Sequence, residues 1–289
     1  MADKKTEVYE KVKRARMGGR PTAKDYIFGM FDDFTEMHGD RRFSDDHAVM
    51  AGLAFLGGRP VTVIGIEKGS DAEERFDRAF GCASPEGYRK ALRQMKLAEK
   101  FGRPVVCIVD TQGANCGLGA EERGEGQAIA ENLYEMMTLR TPILTLMVGE
   151  GGSGGALALA VADEVWMLEN AYYSVVSPEA CASILYKDAT KADLAAAHLR
   201  LTAEDLFELG VIERIVPETE EFSAEDGRAS FMRSLGGAVA KKLKEISRKD
   251  SDAMLADRYE KYRKIGRYEE SGAPLCPAPR RRRLFGKKS

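Results

Sequence analysis

Between the apolar run Pro142 to Met147 and the small-residue run Ala156 to Ala162 the chain reads Val148-Gly-Glu-Gly-Gly-Ser-Gly-Gly-Ala156. No other stretch constrains the fold as tightly, because strand-like, glycine-rich and helix-like segments follow one another with no spacer. Five glycines within positions 149–155 let backbone amides point outward with no Cβ in the way. The first amides of a helix have no partner inside it and lie at its positive end. A turn of this kind binds something negative, and the rest of the chain must say what.

With 289 residues, 44% of them hydrophobic, the chain can bury a sizeable core in one large domain or two small ones. Lys and Arg number 44 against 46 Asp and Glu, a net charge of −2, so no overall field argues for a nucleic-acid partner. The cysteines at 82, 107, 116, 181 and 276 form no CxxC pair and no Cys/His spacing, which argues against a metal site in this chain. A scattered, odd set fits the reduced thiols of the cytoplasm. Residues 1–16 lack the apolar core of a signal peptide and no apolar run reaches the roughly 18 residues of a membrane span, so a cytoplasmic location and no membrane are expected.

Residues 1–21 read as a basic N-terminal arm, helical in part or a solvated tail. Thr22 to Asp25 fits a capping box, and Tyr26, Ile27, Met30, Phe31, Phe34 and Met37 form an apolar stripe, which predicts one amphipathic helix ending at His38-Gly39. Val49 to Leu56 and Val61 to Ile66 flank Gly57-Gly58 as a hairpin. The charged stretch Asp71 to Arg78 reads as a surface loop or lid. Ser84-Pro85 opens a helix that runs to Phe101 and stops at Gly102. Then a strand at Val105 to Val109, a glycine-rich loop at 110–119 and a helix at 120–139 precede the strand Ile143 to Val148, which leads into the glycine turn and a short helix. Glu164 to Leu168 and Tyr172 to Val176 are extended. Helices follow from Ser177-Pro178 to Leu185, at 193–199 and from Thr202 to Gly210, and the last strand is Val211 to Val216. Strands alternating with helices predict an α/β fold with parallel pairing through right-handed crossovers, over a domain spanning 22–217. A helical C-terminal extension, 218–289, carries acidic residues to Asp226, helices at about 230–246 and 252–265, and a basic tail at Arg280 to Arg283 and Lys287-Lys288, read as solvated.

Three readings compete for the glycine turn. Gly149, Gly151 and Gly154 spell G-x-G-x-x-G, with Glu169 placed 20 residues past Gly149 where a dinucleotide fold keeps its ribose-binding acid. The mid-chain position, the short helix and a second glycine loop at 110–119 weigh against it. Gly151-Gly-Ser153-Gly-Gly155 spells a nucleophile elbow, with Asp188 or Asp193 and His198 as partners. His198, however, lies in a helical run beside its own candidate acids, and His38 and His47 precede the core strands. A phosphate-binding P-loop requires Lys-Ser/Thr where Ala156-Leu157 stand. The third reading is a backbone oxyanion hole, which requires neither side-chain nucleophile nor histidine and suits a chain in which both are scarce.

Phe80-Gly81 followed by Ser84-Pro-Glu-Gly-Tyr-Arg-Lys-Ala-Leu-Arg93, then Lys96 to Gly102, Asp110-Thr-x-Gly-Ala114, Gly119-Ala-Glu-Glu-Arg-Gly124, Gly149 to Ala158 and Tyr173-Ser-Val-x-Ser-Pro-Glu179 carry a joint resemblance. From about Tyr26 to Pro217, with an echo at Arg258 to Gly266, the chain resembles the carboxyltransferase α subunit of bacterial-type, multisubunit acetyl-CoA carboxylase. The resemblance implies a crotonase-type ββα superhelix with helical N- and C-terminal extensions and two backbone oxyanion holes. It implies transfer of a carboxyl group from N-carboxybiotin to acetyl-CoA, giving malonyl-CoA, the first committed step of fatty acid synthesis in an ATP-dependent complex. Biotin would ride covalently on a biotin carboxyl carrier protein, served by a biotin carboxylase, and the site would be completed by a zinc-ribbon-bearing β subunit in an α2β2 assembly. Carried over by position, the peptide at Gly151 and Gly152 is the hole facing the biotin oxygen, Gly154 and Gly155 open the helix behind it, and Gly113 and Ala114 form the second wall. Ser153 is then a turn residue. Where the family pattern has proline, tyrosine and proline, this chain has Gln112, Asn115 and Cys116, so a more flexible loop with different contacts is expected, and the chain starts late against that pattern. The rivals are a non-catalytic crotonase-fold paralogue and a single-chain acyl-CoA hydratase or hydrolase.

Overall fold

The computed structural model describes residues 2–219, 222 and 227–266. Their strands are β1 (Asp32–Glu36), β2 (Val49–Leu56), β3 (Arg59–Ile66), β4 (Val105–Thr111), β5 (Ile143–Gly152), β6 (Glu164–Leu168), β7 (Tyr172–Ser174) and β8 (Arg214–Val216). The sheet order is β1-β2-β3-β4-β5-β6-β8, and β7 pairs with the far end of β5. β1, β2 and β3 run antiparallel, and every pairing from β3 onward is parallel. The α/β expectation is met, with an antiparallel ββ edge ahead of the parallel units.

All residues of β4 and β5 are buried, which suits strands covered on both faces. The β2–β3 hairpin closes through Gly57 and Gly58, both at positive φ (56° and 75°), the backbone of a two-residue turn that follows strand twist.

Helices α1 (Ala2–Arg16), α2 (Ala23–Met30), α3 (Ala72–Asp77) and α4 (Pro85–Lys100) precede α5 (Leu118–Glu122), α6 (Glu125–Thr138) and α7 (Ser153–Leu157). They are followed by α8 (Pro178–Tyr186), α9 (Ala192–Leu199), α10 (Ala203–Glu208), α11 (Arg228–Ile246) and α12 (Ser251–Arg263). Tyr88, Ala91, Met95 and Ala98 of α4 are all fully buried, three and four residues apart, so one stripe of the helix faces the sheet.

Several local expectations change. The stripe from Tyr26 to Met37 is not one helix. α2 ends at Met30, Phe31 turns extended, and residues 32–36 cover the edge of β2 as β1. Gly52 admits that approach, because a Cβ there would stand 2.1 Å from the Thr35 carbonyl oxygen. Residues 72–77 are helical, with the Asp71 carboxylate accepting from the Glu74 amide, though no residue of α3 is buried. The helix expected at 120–139 breaks at Gly124, φ 85°, into α5 and α6. The supposed turn at 149–152 is still strand: β5 keeps its extended course through Gly152 and changes neighbours from β6 to β7.

The N-terminal segment is not a solvated tail. Val8, Val12 and Ala15 are buried, and Arg20 forms a two-pronged ion pair with Glu218, each N–O distance 2.8 Å, while also donating to the Val148 carbonyl. At the other end α12 is locked by Arg258, which is fully buried. It grips Asp163 with two bonds of 2.8 Å and donates to the carbonyls of Met136, Leu139 and Thr141. Most of the acidic stretch before residue 227, Cys276 and the basic tail lie outside the described residues.

Candidate active site

The C-terminal ends of β3, β4 and β5 open on one side of the sheet, where a parallel α/β arrangement gathers its binding groups. Two glycine-containing backbones meet there at van der Waals limits. A Cβ on Gly152 would stand 2.0 Å from the Gln112 carbonyl oxygen, and one on Gly155 would be 2.6 Å from the Ala114 nitrogen and 2.7 Å from the Gly113 carbon. Gly113 itself sits at φ 150°. Gly151 is pinned between Thr111 of β4 and Tyr173 of β7, with a Cβ there 2.8 Å from the Tyr172 carbonyl oxygen. Thus Gly113, Ala114, Gly152 and Gly155 are in contact and Gly151 is held beside them. Gly154 differs, since a Cβ on it would meet only Ile129, at an ordinary 3.6 Å.

Ser153 is exposed and adopts φ 50°, a left-handed backbone at the strand-to-helix junction. The three histidines are engaged elsewhere: His38 with Asp45 at 2.8 Å, His47 with Asp77 at 2.9 Å and His198 with the Tyr186 hydroxyl at 2.7 Å. Asp188 binds Thr190. No triad forms on Ser153, and the hydrolase reading falls. The dinucleotide reading falls too, because α7 has 5 residues and the Glu169 carboxylate accepts from the Glu218 amide at 3.1 Å.

Beside the glycines opens a cavity of about 440 Å³, lined by Gln112 and Glu150 from the two strand ends, Lys68 and Arg75 from the β3 side, and Arg16, Tyr172 and Glu179 opposite. Its charges interlock. Asp110, almost wholly buried, takes Lys68 on one oxygen at 2.8 Å and the Glu150 amide on the other at 2.8 Å. Gly149 lies so close to this carboxylate that a Cβ would stand 2.4 Å from Oδ1. Arg16 donates to Glu150 at 2.9 Å and to Glu179 at 2.7 Å, and the Tyr172 hydroxyl donates to Glu150 at 2.8 Å. Burial works against ionisation of Glu179, yet the Arg16 bonds outweigh it and hold the carboxyl below its ordinary range. Burial, reinforced by the Glu150 charge, pushes the Tyr172 phenol up.

Behind the glycine contact lies a second polar group. The Tyr88 hydroxyl, 2.9 Å from where a Gly155 Cβ would be, is buried with no hydrogen-bond partner among the described residues, as are both carboxyl oxygens of Glu125. Burial first, and the carboxylates of Asp46 and Glu86 next, raise Glu125 to about 8.

Arg16, Lys68, Asp110, Glu150 and Tyr172 escaped the sequence reading as site residues. Asp110 and Glu150 abut the two glycine motifs and were open to detection, whereas Arg16 lies 134 positions from Glu150 and carries no local signal. The loop expected to be looser is tied at Asn115, whose amide donates to the Ala83 carbonyl at 2.9 Å and whose side chain joins Ser84 at 3.0 Å and the Gly117 amide at 2.8 Å. Gln112 places an amide side chain in the cavity.

Among the described residues no helix is long and apolar enough to cross a membrane, and no group of three or more His, Cys, Asp or Glu is placed to hold a metal ion.

Residues 3–266 match the family model described as acetyl co-enzyme A carboxylase carboxyltransferase-like, a wider span than the motifs alone covered. The acetyl-coenzyme A carboxylase carboxyl transferase subunit alpha of Ruminiclostridium cellulolyticum is 57% identical over 261 residues, 89% of this chain and 97% of that protein. A Streptococcus pyogenes protein of the same name is 52% identical over 259 residues, 90% of this chain and 99% of its own length. The Natranaerobius thermophilus relative, named subunits beta/alpha, is 54% identical over 267 residues, and this chain spans only 44% of it. Among solved structures, a transcarboxylase 12S chain superposes with TM-score 0.61 at 15% identity, over 90% of this chain and 45% of that one. A chain of a Pseudomonas malonate decarboxylase hetero-tetramer also gives TM-score 0.61, at 20% identity, over 75% of this chain and 86% of its own. These likenesses place the fold in the crotonase type.

Proposed function

The chain belongs to the acetyl-CoA carboxylase carboxyltransferase family, and from that premise we infer that it is the α subunit of the carboxyltransferase, a transferase that moves a carboxyl group from N-carboxybiotin to acetyl-CoA to give malonyl-CoA. The observation that supports this best is the contact of two backbones, Gln112 to Ala114 against Gly152 to Gly155, at the mouth of the 440 Å³ cavity.

Biotin would arrive on a separate carrier protein and supply the carboxyl group together with a ureido oxygen on which negative charge gathers. A cavity rimmed by backbone glycines and lined by paired charges fits such a polar, uncharged ring system. In this reading the peptide at Gly151 and Gly152 offers its dipole to that oxygen, Gly113 and Ala114 wall the opposite side, and Gly154 with Gly155 opens α7 behind them. Asp110 holds the strand end in register through the Glu150 amide, and Arg16 and Tyr172 hold the Glu150 side chain aside. Once free of its carboxyl group, the ureido nitrogen would supply the base for the methyl proton of acetyl-CoA, so no histidine of this chain would be required, and His38, His47 and His198 are engaged elsewhere.

The 22–217 unit is then the carboxyltransferase domain, 1–21 and 218–289 its extensions, and the site is shared with a zinc-ribbon-bearing β subunit in an α2β2 complex in the cytoplasm. A biotin carboxyl carrier protein and biotin carboxylase complete the pathway of the carboxyl group. The test is malonyl-CoA-dependent carboxylation of biotin by the purified chain mixed with the β subunit from the same source. Activity is expected only from the mixture. Activity of this chain alone would overturn the shared site, and inactivity of the assembled pair would favour a non-catalytic scaffold.

A further inference from the structure

On the outer side of α4, away from the stripe that meets the sheet, Arg89, Arg93, Lys96 and Lys100 fall on one helix face. The connection between β1 and β2 brings Arg41 and Arg42 against them, and α6 contributes Glu131 and Glu135. Together with Asp40 and the apolar floor of Leu92 and Leu97 they enclose a groove of about 840 Å³ that shares no residue with the cavity beside the glycines.

Its charges do not balance. Glu135 is taken by Lys96, and Glu131 faces Arg42 at 3.3 Å. Asp40 spends one oxygen on the amides of Arg42 and Phe43, at 2.9 and 2.8 Å, and its other lies 3.9 Å from Arg89. No carboxylate of the described residues comes within ion-pair distance of Arg41 or Arg93. Instead both guanidinium groups converge on one carbonyl: His38 O accepts from Arg41 at 2.8 Å and from Arg93 at 3.1 Å, and Arg93 also donates to Gly39 O at 3.1 Å. Arg41 reaches this point from a left-handed backbone, φ 68°, which a non-glycine residue adopts only under constraint. Burial, and after it the nearby Arg41 charge, lower the Arg93 pKa against the opposing pull of the Asp45 and Asp40 carboxylates on the same β1–β2 connection.

Two planar forks side by side, with Asp40 and Asp45 near Arg93 but no carboxylate in ion-pair contact with either fork, gain from an oxyanion that can bridge them, and arginine suits phosphate because its donors match two oxygens at once. The volume and the Leu92 and Leu97 floor leave room for a larger organic group than phosphate alone. We propose that this groove binds an organic diphosphate, with Arg41 and Arg93 on the phosphate oxygens and the rest of the ligand along α4 toward Lys96 and Lys100. A free nucleoside diphosphate and the diphosphate end of coenzyme A share this chemistry.

The test is calorimetric titration of the full chain with pyrophosphate, ADP and coenzyme A at about 50 and 200 mM salt, the range over which phosphate contacts weaken. Saturable binding of ADP or coenzyme A in the micromolar range, weaker at the higher salt, is expected. Coenzyme A binding tenfold tighter than ADP identifies the coenzyme as the source, and the reverse order identifies the free nucleotide. Arg41→Gly, which relieves the left-handed backbone while removing the cation, and Arg93→Gln should each weaken binding at least tenfold, with Arg93→Lys between Gln and wild type. Absence of saturable binding below millimolar, or binding unchanged in Arg41→Gly and Arg93→Gln, would overturn the proposal. So would a single-stranded oligonucleotide that outcompetes both small ligands, since the groove would then be part of an extended nucleic-acid surface.

Discussion

Gly152 leaves no space even for a methyl group, since the Gln112 carbonyl occupies the place a Cβ would take. Any side chain here must push the 112–114 loop away as well as displace one amide from the site. Gly152→Ala is therefore expected to lower kcat by about 10² to 10³ and to lower the melting temperature as well. Gly154→Ala, with only ordinary contact to Ile129, should keep most of the activity and the wild-type melting temperature. Ser153→Ala should retain kcat within about a factor of two, because its exposed hydroxyl has no histidine to deprotonate it. Steady-state kinetics of the three variants with the β subunit separates a backbone hole from a serine nucleophile. Glu125 gives a pH prediction. Its carboxyl rises from an ordinary 4.5 to about 8 in the folded chain, so the unfolded chain releases its proton first. The stability it contributes is complete below about pH 4.5 and drains away as pH rises toward 8. Glu125→Gln should flatten that decline and raise the melting temperature at pH 8 by about 2–4 °C, measured across pH 5 to 8. A wild-type profile already flat over that range would refute it.

Among the secondary elements, α12 is held by the least replaceable side chain. Arg258→Met removes the guanidinium but leaves Asp163 buried, with three backbone carbonyls losing a donor. Breaking a buried pair from one side costs about 3–5 kcal/mol, to be read from chemical denaturation. A cost below about 1 kcal/mol would mean that the pair behaves as a surface contact. The boundaries legible in the sequence were those written locally. The Thr22 capping box, Ser177 accepting from the Ala180 amide and Thr202 accepting from the Asp205 amide all start helices where their spacing said. The close approach of the two glycine-bearing backbones was legible too, because a glycine motif after a buried strand is a local pattern. The misread segments depend on distant partners. Phe31 to Met37 keeps a helical apolar period, but the exposed edge of β2 and the small Gly52 recruit it as a strand. Nothing near Arg16 announces Glu150 or Glu179, and nothing near Lys68 announces Asp110.

At the scale of the whole molecule, one sheet carries the glycine-rimmed cavity at the ends of its parallel strands. Its rim is built from chain segments far apart in sequence. Arg16 meets Glu150 and Glu179 across 134 and 163 positions, and Tyr9 reaches Glu179 across 170. Pairings of such long separation close late, after the local β2–β3 and β4–β5 contacts have formed. Pulse-labelled hydrogen exchange during refolding should accordingly protect the amides of Val105 to Val109 before those of Val8 to Ala15. The opposite order would show α1 docking on a partial sheet. The same geometry sets a schedule on the ribosome. Residues 8–16 are made well before their partners, so Lys11 must wait for Glu204. Until then Val8, Val12 and Ala15 have no groove to fill, and the cavity gains its Arg16 wall only once Glu150 and Glu179 have been made.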